Sequence, residues 1–249
     1  MKKIDIVSIF PEFVEQYFSF GVIEKALKKN VVEIKSVDLR NYTHDKHKVT
    51  DKPGYGGNSG MVMIPQPFYE YYDEYKKREN KKPFVIMPSP QGIKFDNEVS
   101  KSLSKKDNLI FFCGRYEGID KRVYDLVDLE VSVGDFVLTG GELPTLLIVD
   151  SLLRFVPDVV GNKESVKKDS FYNGLLDYDH YTRPAEFRNK EVPEVLLSGD
   201  HKKIKRFQEK QSLINTAIKR PDLFLKKEFN EHEKKIILEI IQEMQNNAE

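Results

Sequence analysis

The chain has 249 residues with 40 Lys and Arg against 40 Asp and Glu, so its formal net charge is zero and any grip on a polyanion has to be local. Hydrophobic residues make up 39% and charged residues 32%, which excludes a disordered chain and favours one large domain or, preferably, two modest ones. A single cysteine, Cys113, excludes an internal disulfide and a multi-cysteine zinc site.

The chain begins MKKIDIVSIFPEF, an apolar run soon broken by Asp5, Pro11 and Glu12. That is neither a signal peptide nor a spanning helix, so a cytoplasmic protein without a membrane partner is expected. Five runs then read as strands: KIDIVSIF, VVEIKSVDL, PFVIMP, NLIFFCG and LEVSVGDFVL, with amphipathic segments between them. This alternation predicts an α/β domain with a largely parallel sheet. The apolar stretch from Glu142 to Phe155 reads as its last helix, stopped by Pro157.

Beyond it, GNKESVKKDS is polar and reads as a linker. Asp200 then serves as N-cap of a helix in which Ile204, Phe207, Gln211, Ile214 and Ile218 follow helical spacing, with Pro221 past its end. Asn230 and Glu233 stand in capping-box spacing before Ile236, Ile237, Ile240, Ile241 and Met244. The C-terminal part is therefore expected as a small helical unit. The expected boundaries are 1–161 for the α/β domain, 162–172 for the linker and 173–249 for the helical domain.

Four glycine-bearing loops carry the functional signal: GYGGNSGM at 54–61, SPQG at 89–92, GRYEG at 114–118 and SVGDFVLTGGELP at 132–144. None ends in Gly-Lys-Ser/Thr, and no G-x-G-x-x-G opens a helix after a strand, so a P-loop and a Rossmann dinucleotide site both lose support. Taken singly, each loop reads better as a tight turn. Three of them follow strands, at the sheet edge where ligands usually sit, which points to a small-molecule pocket. Backbone at Gly114, Gly134, Gly140 and Gly141 can approach an adenine closely, between apolar walls of Val133, Phe136 and Leu138.

Arg154, Asp169 and Glu117 are the candidate charged groups, each with a plain alternative: snorkelling from a buried helix, capping a turn, or pairing with Arg115. Within DYDHYTRP, His180, Tyr181 and Arg183 suit base stacking and phosphate contact, or form a surface turn closed by Pro184. Lys202, Lys203, Lys205 and Arg206 make a basic stripe that suits either a phosphate backbone or a solvated helix face.

In order and spacing, GYGGNSGMVM, SPQG, CGRYEGID, SVGDFVLTGGELP, LLRFVP, DSFYNGLLDYDHYTRP and VPEVLLSGDH resemble the bacterial tRNA (guanine-N1)-methyltransferase family, TrmD-type, over nearly the whole chain. The resemblance implies a SPOUT fold: an α/β domain with a trefoil knot and a largely parallel sheet, then a linker and a helical C-terminal domain. It implies a homodimer with active sites shared between subunits, and methylation of N1 of guanosine 37, immediately 3′ of the anticodon, with S-adenosyl-L-methionine (AdoMet) as donor. The cofactor loops would comprise Met87, Pro88, Ser89, Pro90, Gly114, Arg115, Tyr116, Glu117, Val133, Gly134, Asp135, Phe136, Val137, Leu138, Gly140, Gly141 and Pro144. Asp169 would be the general base, Arg154 the cation stabilising charge on O6, and Ser170, Asp177, His180 and Arg183 would contact the substrate, the anticodon stem-loop of tRNA.

The family is also associated with Mg2+, for which Glu117 is the one contributor named and no ligand set is legible. Asn58, Ser59, Val131 and Asp200 depart from the family pattern without touching the residues assigned to catalysis. The alternatives are another knotted RNA methyltransferase, acting on ribose or ribosomal RNA, and a catalytically silent RNA-binding protein. The DSF…DYDHYTRP segment argues against the first and the joint presence of Asp169 and Arg154 against the second.

Overall fold

The computed structural model describes residues 1–57, 60–161 and 163–246, so Asn58 and Ser59 of the first glycine loop lie outside the described residues. In chain order, β1 (Lys2–Ser8) is followed by helices α1 (Pro11–Phe18) and α2 (Gly21–Lys28), then β2 (Val32–Asp38) and a hairpin of β3 (Asp51–Pro53) and β4 (Met61–Met63). Next come α3 (Gln66–Glu79), β5 (Phe84–Lys94), α4 (Asn97–Ser104), β6 (Asn108–Phe112), β7 (Leu129–Ser132) and α5 (Glu142–Leu153). The five long strands form one sheet in the order β2-β1-β6-β5-β7, and every neighbouring pair is parallel.

A parallel sheet is covered on both faces, which is why its strands read as apolar runs rather than alternations. Successive side chains still point to opposite sides. Ile4, Ile6, Ile86, Leu109 and Phe111 pack with residues of α1, α2, α4 and α5, whereas Val7, Val85, Met87, Ile110 and Phe112 pack against α3 through Phe68, Tyr71, Tyr72 and Tyr75. Asp5, a charge buried in this second layer, is 4% exposed and is held by the Tyr71 hydroxyl and by Arg78 at 2.8 Å.

The structure corrects two strand readings. LEVSVGDFVL is strand only to Ser132, because Gly134 at φ +153° turns the chain out of the sheet. PFVIMP continues to Lys94, with Pro88 and Ile93 both paired to Val131 so that 89–92 bulges from the ladder. Gly92 permits that close approach, since a Cβ there would lie 2.3 Å from the Val131 nitrogen.

The chain divides into two compact units, Met1–Lys163 and Glu164–Glu249. The segment read as linker contains a short helix, α6 (Lys163–Lys168), in keeping with the good helix propensity of Lys and Glu. The second unit adds a two-residue-per-strand hairpin, β8 (Glu186–Phe187) and β9 (Lys190–Glu191), followed by α7 (Glu194–Leu197), α8 (His201–Lys219), α9 (Pro221–Lys226) and α10 (Glu231–Asn246). Asp200 caps α8 by accepting from the Lys202 and Lys203 amides. The Asn230–Glu233 capping box closes in both directions, at 3.0 and 2.9 Å. Leu175, Leu213 and Ile236 form the core of this unit, joined by Phe224, Phe229, Ile237 and Ile240.

Candidate functional site

Three loops leave the carboxyl edge of the sheet and enclose a cleft of about 400 Å³ in the first unit, within the ~300–1,000 Å³ range of small-molecule sites. Pro88 to Gln91 come from the bulge in β5, Gly114 to Ile119 from the loop after β6, and Val133 to Gly141 from the loop after β7. Of the seventeen residues predicted to hold a cofactor, all line this cleft except Asp135, which is exposed and outside the lining. Gln91, Gly118, Ile119, Tyr124, Val131, Ser132 and Thr139 line it as well. Gln91 and Gly118 lie inside the glycine motifs, whereas Tyr124 sits in a 3-10 turn from Lys121 to Leu126 that no motif marks.

The loops after β6 and β7 are locked to one another. The Gly141 amide donates to the Gly114 carbonyl at 2.7 Å, and Arg115 and Gly140 form an antiparallel bridge. A Cβ on Gly141 would sit 2.8 Å from the Gly114 nitrogen, so backbone meets backbone here and only glycine fits. Glu142 lies behind them, fully buried at the first turn of α5, where a negative charge complements the helix dipole. It accepts from Ser8 Oγ at 2.6 Å and from Arg115 Nε at 2.8 Å. Arg115 also donates to the Thr139 carbonyl at 3.2 Å and stacks on Phe10 at 4.6 Å. One buried carboxylate thus ties the end of β1 to two cleft loops through charge-assisted bonds.

The expected alternative pairing of Arg115 with Glu117 is therefore replaced by a pairing with Glu142. Glu117 lies against Gly60, whose Cβ would fall 2.5 Å from its Cγ, and its amide donates to the Met61 carbonyl at 3.0 Å. Among the described residues no three His, Cys, Asp or Glu are arranged to hold a metal ion. Tyr116 adopts a left-handed conformation at φ +58°, a strained geometry for a non-glycine residue of the kind that collects at functional sites. Cys113 is fully buried, and burial foremost, then the nearby Glu142 charge, pushes its thiol pKa well up, so it is filler and not a nucleophile.

Arg154 follows the last turn of α5 and is exposed; it is not on the cleft lining but on a shallow apolar face with Tyr17, Phe95, Leu143, Leu147 and Asp150. In the second unit, Asp169 precedes a turn in which the Tyr172 amide donates to its carbonyl at 3.2 Å and Phe171 stands at φ +74°. Ser170 Oγ accepts from the Asp177 amide at 2.9 Å, and the Asp177 carboxylate contacts His180 Nε2 at 3.0 Å, so these three predicted residues are brought together. His180 and Arg183 line a concavity of about 960 Å³ with Tyr178, Tyr181, Leu196 and Ile204.

The basic stripe on α8 is largely compensated. Arg206 and Lys210 pair with Glu239 and Glu243 of α10, while Lys203 and Lys205 lie 3.8 Å from Asp200 and Glu209. That favours the solvated-face reading over a dedicated phosphate grip.

A family model described as tRNA (Guanine-1)-methyltransferase TrmD matches residues 1–226. A tRNA (guanine-N(1)-)-methyltransferase of Thermosipho africanus is 51% identical over 246 residues, covering 99% of both chains. Its namesake in Thermotoga maritima is 50% identical over 97% of this chain and 98% of its own, and that of Persephonella marina is 47% identical over 94% and 92%.

Proposed function

Because the chain belongs to the tRNA (guanine-1)-methyltransferase TrmD family, we propose that it methylates N1 of guanosine 37 of tRNA, immediately 3′ of the anticodon, with AdoMet as donor. The observation that carries this reading is the three-loop cleft, in which the loops after β6 and β7 are joined through Glu142, Arg115 and the Gly114–Gly141 contact. Its mixture of backbone polar groups and apolar walls at Val133, Leu138, Ile119 and Pro144 suits a nucleoside joined to a charged chain. When bound, AdoMet supplies an electrophilic methyl group on a sulfonium. In this reading residues 1–161 carry the cofactor, 162–172 join the two parts, and 173–249 contact the anticodon stem-loop, with Ser170, Asp177, His180 and Arg183 nearest the substrate.

Guanine N1 is protonated at neutral pH and is a poor nucleophile, so transfer needs a base to accept that proton. Asp169 is assigned this role. As the proton leaves, charge moves onto O6, where a fixed cation stabilises the transition state by ~3 kcal/mol; Arg154 is assigned to it. Holding N1 and the methyl group in line supplies further acceleration through positioning. The guanosine leaves the anticodon-loop stack to react, at a cost of about a few kcal/mol. Mg2+ is kept as an accessory of the reaction, with Glu117 as a contributor and no defined ligand set.

The working form is a homodimer in the cytoplasm with shared active sites. Support comes from exposed apolar side chains on the first unit, namely Phe10, Phe13, Tyr17, Phe20, Leu143 and Leu147, with exposures from 41% to 73%; a patch of this kind marks an interaction surface. No described helix is long and apolar enough to cross a membrane. The test is transfer of labelled methyl from AdoMet to transcripts carrying guanosine or adenosine at position 37. Guanosine-dependent labelling is the expected result, and equal labelling of both transcripts contradicts it.

A further inference from the structure

The hairpin of β8 and β9 contributes little to the fold of the second unit and is costly in conformation. Its strands are two residues long, paired Glu186 with Glu191 and Phe187 with Lys190, so two like charges face each other across the base. Its two turn residues, Arg188 and Asn189, both stand in the left-handed region, at φ +53° and +59°. A two-residue turn of this type favours Asn-Gly or Gly-Gly because a Cβ is disfavoured at positive φ. Asn tolerates the position, but an arginine there is strained where glycine is not.

The Arg188 side chain also lies on an aromatic ring and not in an ion pair. Despite the two glutamates of its own hairpin, Arg188 has no salt bridge among the described residues; its guanidinium lies over the Phe187 ring, 5.4 Å from the centroid. Phe187 is 63% exposed. An exposed aromatic ring overlaid by a cation, with Lys190 beside it, is the arrangement that single-stranded RNA binders present to bases and phosphates. Ala185 and Val192, which flank the hairpin and continue its ladder through a 2.9 Å bond, line the concavity that holds His180, Tyr181 and Arg183. The hairpin therefore stands on the rim of that concavity.

We propose that the Phe187–Arg188 tip is an RNA-docking element: Phe187 stacks on an unpaired base of the tRNA and Arg188 contacts its phosphate backbone. This rests on the tRNA reading given above. The turn keeps an arginine in a glycine-favouring conformation because the side chain is used on the ligand and not in the fold.

The test compares the full-length chain with Arg188→Gly and Phe187→Ala, measuring affinity for an unmodified tRNA transcript across a salt series, AdoMet affinity, thermal unfolding and sedimentation. Arg188→Gly is expected to unfold no earlier than wild type and to bind AdoMet equally well. It should bind tRNA about tenfold more weakly, with the slope of log affinity against log salt reduced by about one. Phe187→Ala should also lose about tenfold in tRNA affinity, but with the slope unchanged. Unchanged tRNA affinity in both variants overturns the proposal, as does a loss of affinity that sedimentation traces to dissociation of the protein, which would make the hairpin a contact between copies of the chain. Wild-type methyl transfer is followed in the same series, so that unchanged variants overturn the hairpin assignment alone, whereas an inert wild type overturns the functional reading together with it.

Discussion

Replacing Glu142 by alanine removes the acid bonded to Arg115 and leaves the buried Ser8 hydroxyl without its acceptor. The carboxylate is fully buried and the Arg115 side chain is 23% exposed, so water screens the pair only in part. Breaking one half of a buried pair costs ~3–5 kcal/mol; partial exposure of Arg115 places this case at the lower end, about 3 kcal/mol. Glutamine fills the same space without the charge: its one amide oxygen still accepts from Arg115 Nε, while its NH2 can only donate towards Ser8 Oγ, so it should cost about 1 kcal/mol. A chain of two units need not unfold in one step, so the loss is best read from native-state hydrogen exchange of amides in β1 and α5. Exchange there should accelerate by about 150-fold in Glu142→Ala and by about fivefold in Glu142→Gln. Because Arg115 and the Gly140–Gly141 segment line the cleft, AdoMet affinity should fall in the same order. Equal exchange rates in wild type and Glu142→Ala, or an alanine variant no worse than glutamine, would refute the reasoning.

Asp169→Asn should bind AdoMet as wild type does and lose methyl transfer; undiminished turnover removes Asp169 from the base role. Gly141→Ala forces a Cβ to 2.8 Å from the Gly114 nitrogen, so it should weaken AdoMet binding by about tenfold or more, and titration calorimetry showing normal affinity would contradict the contact. Lys2, which donates to the Leu103 and Lys106 carbonyls, has its pKa lowered from 10.5 to about 8, chiefly by desolvation and against the pull of Asp107. Between about 8 and 10.5 the unfolded chain therefore holds the extra proton, and stability contributed at this site rises with pH across that window. Chemical denaturation of wild type and Lys2→Met at stepped pH should show the difference moving in favour of wild type as pH rises; movement the other way contradicts the burial argument.

Local signals were legible in the sequence and long-range ones were not. Asp200 and the Asn230–Glu233 box are caps set within three residues, and both close as read. The glycine loops mark the cleft because close backbone approach requires glycine, as at Gly92 and Gly141. Arg115, by contrast, has an acid two residues away in Glu117 but pairs with Glu142, because the fold brings the start of α5 against the loop after β6. The basic residues of α8 looked available until α10 placed Glu239 and Glu243 beside them, 33 positions on. Strands of two or three residues, as in β3, β4, β8 and β9, carry too few positions for a period to show. Tyr124 joins the cleft from a turn without a motif, and Asp135 stays outside the lining although Gly134 and Phe136 on either side of it belong to it.

The most direct test of the functional account is identification of the methylated nucleoside itself. An unmodified tRNA transcript is incubated with the protein, AdoMet and Mg2+, digested to nucleosides and analysed by mass spectrometry, with a parallel partial digest locating the site. The account predicts N1-methylguanosine, from position 37 alone. A methyl group found on ribose, at another position or on no nucleoside at all would contradict it.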